Sequence, residues 1–274
     1  MSKLIDYTFQ DVTLYDIENL RQLQIQDLRQ YVNNYFEQGI INYQANSVGV
    51  FSGHQVIGYA CIGTVGPYRD AVLEYYLLRS HRKEAAAVLH ELKTKYACKS
   101  WFVSTHDSFA LPLMLDMSIS HYVSGYMFSA SGQSEIDAAR TYQTEFALTN
   151  LDDLESVYSL EIQDDYYSGD IEGVRSEIEA GSSYSLRMGE DLVGTGFVVK
   201  LERTPRFADI GMIVHPAYRR QGWGTHIIQC LMHECSRLGL VPTACCDSKN
   251  LNSRRTLETV GFYLDGCALR VPFE

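Results

Sequence analysis

The chain has 274 residues, 46% of them hydrophobic and 21% charged, and a formal net charge of -11. That length supports two modest cores, and that charge opposes nucleic acid, which is bound through clustered Lys and Arg that displace counterions. No run approaches the roughly 20 uninterrupted apolar residues that span a bilayer, and the opening MSKLIDYTFQDV lacks the apolar core and cleavage site of a signal peptide; a cytoplasmic protein without nucleic-acid or membrane partners is expected.

In chain order, the first half offers a starting strand, one or two helices and two strands around a turn. The strand-like run AVLEYYLL follows, Ala71 to Leu78. Ala85, Ala86, Val88, Leu89, Leu92 and Tyr96 then recur at the spacing of one helical face. SWFVST, Ser100 to Thr105, reads as a strand, and Leu111 to Met117 as a short helix. Ser129 to Arg140, SASGQSEIDAAR, is small, polar and aperiodic, and marks a domain boundary.

The second half repeats that order. VGTGFVVK, Val193 to Lys200, is one strand of a hairpin, and ADIGMIV from Ala208 is the strand after it. In the next helix Ile227, Ile228, Leu231, Met232, Cys235 and Leu238 form one face, with Gln229, His233, Glu234 and Arg237 opposite, and Gly239 stops it. PTACC from Pro242, a short helix from Ser253 to Thr259, and a strand after Gly261 complete the unit. Two copies of one α/β unit are therefore expected, residues 1–130 and 141–274. The seven cysteines form no CxxC pair, so reduced, packed thiols are expected and no metal site.

VHPAYRRQGWGT, Val214 to Thr225, lies between strand and helix in the second half. Gly222 and Gly224 permit close backbone approach, and the helix that begins there presents amide groups and a partial positive charge to an anion. A dinucleotide fold would want GxGxxG after its first strand, and a P-loop would want GxxxxGK. Neither pattern stands here; Arg219 precedes Gly222 by three positions.

This segment resembles the acetyl-coenzyme A loop of the GNAT acetyltransferase superfamily: Arg or Gln, two residues, Gly, one residue, Gly or Ala. NLNSRRTLETVGF, Asn250 to Phe262, resembles the family's later motif, matched at Asn250, Ser253, Gly261 and Phe262. The resemblance covers about 130 residues and implies two GNAT-like α/β (α+β) mixed-sheet units with flanking helices, of which the second is catalytic. It implies that Met212, Ile213 and Val214 offer backbone groups to the pantetheine arm. It further implies that the amides of Arg219, Arg220, Gln221, Gly222, Trp223, Gly224 and Thr225 cradle the diphosphate. Asn250 and Ser253 would reach the cofactor across a cleft between splayed strands, or cap their helix, or both. Fixed amide donors suit the oxyanion of an attacked thioester.

An amine attacking a thioester sheds a proton, and the departing thiolate regains one. Relatives place a tyrosine seven residues beyond the motif's Asn, where this chain has Leu257; Tyr263, a water, or unaided thiolate departure are left. Asp209 is the nearest carboxylate for a base, although strand alternation sets it opposite Met212 unless a bulge intervenes. Cys245 and Cys246 line the cleft or pack the core.

Leu151 to Gly181, the implied acceptor wall, holds many acids and Arg175 as its only basic residue, which suits a cationic amine. Asp164, Asp165, Tyr166 and Tyr167 are the candidate acceptor residues. The first half has no glycine from Pro67 through Ser124, and its corresponding loop reads RSHRKEA, so it is expected to be a scaffold that helps close the acceptor cleft; His81, Arg82 and Lys83 are an alternative anion site. The expected activity is N-acetylation of a small-molecule or peptide amine by acetyl-CoA. A coenzyme A sensor without turnover and a transferase of longer acyl chains are the alternatives.

Overall fold

A computed structural model of the chain describes residues 7–28, 37–41, 44–117, 120–130, 144–163 and 171–273. Two units divide it, one formed by Met1–Tyr126 with Gly266–Glu274, the other by Met127–Asp265. Among the described residues no helix is long and apolar enough to cross a membrane.

The first unit contains β1 (Tyr7–Val12), α1 (Glu18–Asp27), α2 (Glu37–Ile41), β2 (Ala45–Ser52), β3 (Gln55–Gly63), β4 (Ala71–Leu77), α3 (Ala85–Lys95), β5 (Ser100–Ser104), α4 (Ala110–Asp116) and the start of β6 (Tyr122–Ala130). β1 to β4 pair antiparallel in succession, and β5 joins β4 in parallel through the crossover helix α3. All seven residues of β4 are buried, as expected of a strand covered on both faces. Ala85, Val88, Leu89 and Leu92 of α3 are buried against this core, at the predicted helical spacing.

The second unit repeats the order with β7 (Glu145–Leu148), α5 (Leu154–Gln163), α6 (Ile171–Glu179), β8 (Ser183–Met188), β9 (Asp191–Lys200), β10 (Phe207–Val214), α7 (Trp223–Arg237), β11 (Val241–Asp247), α8 (Leu251–Thr259) and β12 (Phe262–Pro272). Pairs β7–β8, β8–β9 and β9–β10 are antiparallel, while β10–β11 is parallel, bridged by α7. The mixed sheet predicted for each half is present. α7 buries Ile227, Ile228, Leu231, Met232 and Cys235 as the periodicity predicts. Leu238, assigned to the same stripe, is 48% exposed because the helix ends there.

Two glycines of β9 set how closely α7 packs on the sheet. A Cβ at Gly194 would lie 2.8 Å from Ile227 Cδ1, and one at Gly196 would lie 2.8 Å from Leu231 Cδ1. Bare backbone at both positions lets the helix settle against the sheet, which fixes the height of its N-terminus over β10.

The sequence boundary assigned everything from 141 to 274 to one domain. In the structure Gly266–Glu274 belongs to the first unit: Ala268–Pro272 of β12 pairs antiparallel with Ser100–Ser104 of β5, and Leu269 and Val271 enter the first unit's core. Strand periodicity identifies such a segment but says nothing about which sheet edge it joins.

Candidate active site

The site is built where β10 and β11 part. Their parallel register has three pairs among the described residues, Phe207↔Val241, Ala208↔Pro242 and Asp209↔Thr243. β10 stays bonded to β9 for its whole length, from Ala208↔Lys200 to Val214↔Gly194 without a bulge. From Gly211 to Val214, therefore, one edge of β10 is sealed and the other faces a gap.

Backbone directions along this stretch follow from two hydrogen bonds. His215 N donates to Val193 O of β9 at 2.9 Å, and Thr243 Oγ1 donates to Ala208 O from the β11 side at 3.1 Å. Alternation then turns the N–H and C=O groups of Ile210, Met212 and Val214 toward the gap, and those of Ile213 toward β9. Val214 O already accepts from Arg219 Nε at 2.9 Å, and the Asp209↔Thr243 pair engages the N–H of Ile210, so Met212 carries the open peptide groups. Of the three consecutive residues expected to meet a pantetheine arm, Met212 has that orientation in full.

The loop beyond β10 begins with a 3₁₀ turn, Pro216–Tyr218, held by His215, whose ring nitrogen accepts from Ala217 N at 3.3 Å. Tyr218 OH donates to Asp191 of β9 at 2.9 Å and Gln221 Nε2 donates to Ala217 O at 3.1 Å, so side chains of the loop tie it to β9 and to its own backbone. Arg220 has φ 61° and Gly222 φ 85°. A positive φ at Arg220 is a strained choice for a residue with a Cβ, and at Gly222 it is free of that strain.

Gly222 is the N-cap of α7, whose ladder starts with His226 N on Gly222 O at 3.2 Å. The amides of the preceding turn point out of the helix end, along with its partial positive charge. A Cβ on Gly224 would stand 3.1 Å from Met212 Cε and 3.5 Å from Val214 Cγ2. Helix tip and parted strand are thus neighbours, an arrangement that can hold an anion at one end and an extended chain along the strand. Trp223 is buried and T-stacks with His226, which anchors the tip from below.

Asn250 caps α8 through Oδ1, which accepts from Ser253 N at 3.0 Å. The capping role anticipated for Asn250 and Ser253 is present; it engages one acceptor of the exposed Asn250 side chain. Leu257, at the place of the relatives' tyrosine, is only 2% exposed, and Tyr263 is 46% exposed. Cys246 is buried, which pushes its thiol up to about 11, and burial likewise raises Cys245 well above an ordinary thiol.

Asp209 lies in the last bonded β10–β11 pair, on the face of Gly211 and Ile213 and opposite Met212, because the register has no bulge. Asp164, Asp165, Tyr166 and Tyr167 lie outside the described residues. Sequence reading missed Glu161. It is buried on α5, 7% exposed, in line with Leu154 and Val157 on the helix's inward face, and its Oε2 has no hydrogen-bond partner among the described residues. A narrow cleft with an interior volume of about 10 Å³ runs from it past Glu177, Ser183, Thr195 and Phe197 to Met212 and Ile213. The available signal was a carboxylate four residues after Val157 on an otherwise apolar stripe.

The first unit's corresponding strands also part after two pairs, Ala71↔Ser100 and Val72↔Trp101. There the polar groups are tied to one another. Arg21 of α1 forms two hydrogen bonds to Glu74 of β4, at 3.0 and 3.1 Å, and Tyr59 OH donates to Glu74 as well, at 3.1 Å. In the loop after β4, Arg79 and Arg82 both bind Asp27, and Lys83 pairs with Glu84 at 3.3 Å. Of the proposed anion site His81, Arg82 and Lys83, two cations therefore already face carboxylates.

A family model described as an acetyltransferase (GNAT) domain matches residues 13–131, and one described as the acetyltransferase (GNAT) family matches 148–262. Among solved structures, an acetyltransferase of the GNAT family from Colwellia psychrerythraea superposes with TM-score 0.83 at 16% identity, covering 97% of this chain and 100% of that one. A tandem GNAT protein from the clavulanic acid biosynthesis pathway gives 0.66 at 14% identity, with 97% and 98% covered. A GCN5-related N-acetyltransferase from Sphaerobacter thermophilus gives 0.66 at 13%, with 97% and 95% covered. No curated protein matches the chain.

Proposed function

We propose, for a chain that belongs to the GNAT acetyltransferase family in both of its halves, that its second unit transfers an acetyl group from acetyl-CoA to an amine. The observation that carries this reading is the junction of a parted β10–β11 pair with a helix tip opened by Gly222 and Gly224. The residues present fit the donor: the α7 tip suits a diphosphate, and the open peptide groups of Met212 suit the amides of a pantetheine arm. Acetyl-CoA supplies an activated acyl group as a thioester.

What the chain contributes is position and polarity. Amides fixed at Met212 and at the helix tip need no reorganisation to meet charge that develops on an oxygen. Holding donor and amine together removes most of the entropic cost of their encounter. Acids on α5 and α6, among them Glu155, Glu172 and Glu177, favour a cationic acceptor, drawn in by their field. Polyamine, aminoglycoside, amino acid and peptide amine all satisfy that chemistry.

Purified protein incubated with acetyl-CoA and a panel of these four amine classes, with thiol release followed by a colour reagent, tests the reading. Release that depends on an amine is the expected result. The buried, apolar Leu257 in place of a proton-donating tyrosine favours one other reading, a coenzyme A sensor. Tight acetyl-CoA binding without release for any amine would support that second reading.

A further inference from the structure

We propose that Glu161 is the general base of the transfer, taking the proton of the attacking amine directly or through one water in the cleft that joins it to β10. This inference rests on the acetyltransferase reading and assigns a residue to it. A side chain on the inward stripe of a core helix is ordinarily apolar. Glu161 instead places a carboxylate there, nine-tenths buried, with Oε2 unsatisfied among the described residues.

Such a group is costly to keep unless it has work to do, since a buried polar atom without a partner forfeits its hydration. The arginines of α6 and β8 are engaged elsewhere: Arg175 pairs with Glu172, and Arg187 with Asp153. The cleft as a whole has about the room that a single water needs, and Ser183 and Thr195 line it with hydroxyl groups.

Its direction is toward the reacting end. The register places Ser183, Phe197 and Gly211 in one row across the sheet, and Thr195 and Ile213 in the next. Glu161 therefore stands over the middle of β10, past Asp209, where β11 has already parted from it. Gly211 carries no side chain on that face to close the way to the gap.

Burial, with the charge of Glu177 adding to it, raises the Glu161 carboxyl from 4.5 to about 7, a value suited to a base working near neutrality. Among the described residues facing it, α6 contributes Glu177, β8 Ser183, β9 Thr195 and Phe197, and β10 Ile213, with Asp209 farther down the same face. In the step, the amine nitrogen bonds to the thioester carbon and the carbon–sulfur bond breaks. The nitrogen's proton passes to Glu161, which later returns it to solvent, while the departing thiolate takes a proton from solvent.

The test compares wild type with Glu161→Gln, Glu161→Asp and Asp209→Asn, using acetyl-CoA and the best amine of the panel across pH 5.5 to 9. Glu161→Gln is isosteric and preserves a structural role, but it cannot accept a proton. We expect its kcat to fall roughly 100- to 1000-fold, with KM for acetyl-CoA within about twofold. The wild-type rise of kcat through a midpoint near 7 should vanish in Glu161→Gln and persist, at lower amplitude, in Glu161→Asp. A kcat for Glu161→Gln within about threefold of wild type, or a pH limb lost in Asp209→Asn and kept in Glu161→Gln, overturns the base assignment alone. Wild type that binds acetyl-CoA and acetylates no amine overturns the acetyltransferase reading, and the base with it.

Discussion

At the residue scale, Gly222 and Glu161 are the positions where a missing side chain and a buried carboxylate depart from the ordinary. Gly222 sits at φ 85°, a conformation that costs an L-residue about 1–2 kcal/mol and a β-branched one the most. Gly222→Val should raise the acetyl-CoA Kd at least about tenfold by calorimetry, with an unchanged far-UV circular dichroism spectrum; an unchanged Kd would remove the loop from the cofactor site. Glu161 makes a prediction of its own about stability. Its folded pKa, about 7, lies above the ordinary 4.5, so the folded chain holds the extra proton between those values, and stability falls as pH rises through that window. The rise corresponds to about 3 kcal/mol lost by pH 8. Glu161→Gln, which has no charge to bury, should match wild type near pH 5 and be the more stable protein at pH 8 in urea denaturation. Equal midpoints at both pH values would show that the carboxyl titrates normally.

At the element scale, the two strand–loop–helix junctions differ in what fills them. The second unit's junction has glycines and an αL cap, whereas RSHRKE in the first unit forms a 3₁₀ helix, Arg79–Glu84, that leads straight into α3. Desolvation of Asp27 is outweighed by hydrogen bonds from Arg79, Arg82 and Tyr76, which hold its carboxyl below the usual range. The Arg21–Glu74 pair, with both side chains at or below 7% exposed, welds α1 to β4. Removing one member of such a pair leaves a charge stranded in a dry core, at about 3–5 kcal/mol, whereas an apolar pair of similar volume restores most of it. Arg21→Met should lower the melting temperature sharply, and the double variant Arg21→Met, Glu74→Leu should recover most of the loss. A single variant as stable as wild type would mean that this ion pair contributes little.

At the scale of the whole molecule, the chain's end belongs to its beginning. Leu269 and Val271 of β12 are 7% and 0% exposed within the first unit's core, and their strand pairs with β5. Deleting residues 266–274 removes two core side chains worth about 1.5–3 kcal/mol each and leaves β5 with an unpaired edge. The expected outcome is a first unit that unfolds at lower temperature, with early proteolytic cuts between residues 7 and 126. Cuts that begin instead between 144 and 265 would place the stabilising effect of this strand in the other unit.

The amino-acid sequence determined the order of the elements, the repeat and the glycine-opened loop ahead of α7, because hydrophobic spacing and glycine placement act locally. The stripe of α7, the runs Ala71–Leu77 and Phe207–Val214, and the break at Gly222 are each set by residues within a few positions of one another. What only the tertiary structure decided was set by contacts distant along the chain. The parting of β10 from β11 after Asp209, the capture of residues 266–274 by β5, and the burial of Glu161 against strands dozens of residues away depend on which surfaces meet. Periodicity places a side chain on a face of its own helix or strand, and only packing reveals whether a carboxylate on that face finds water, a cation or nothing.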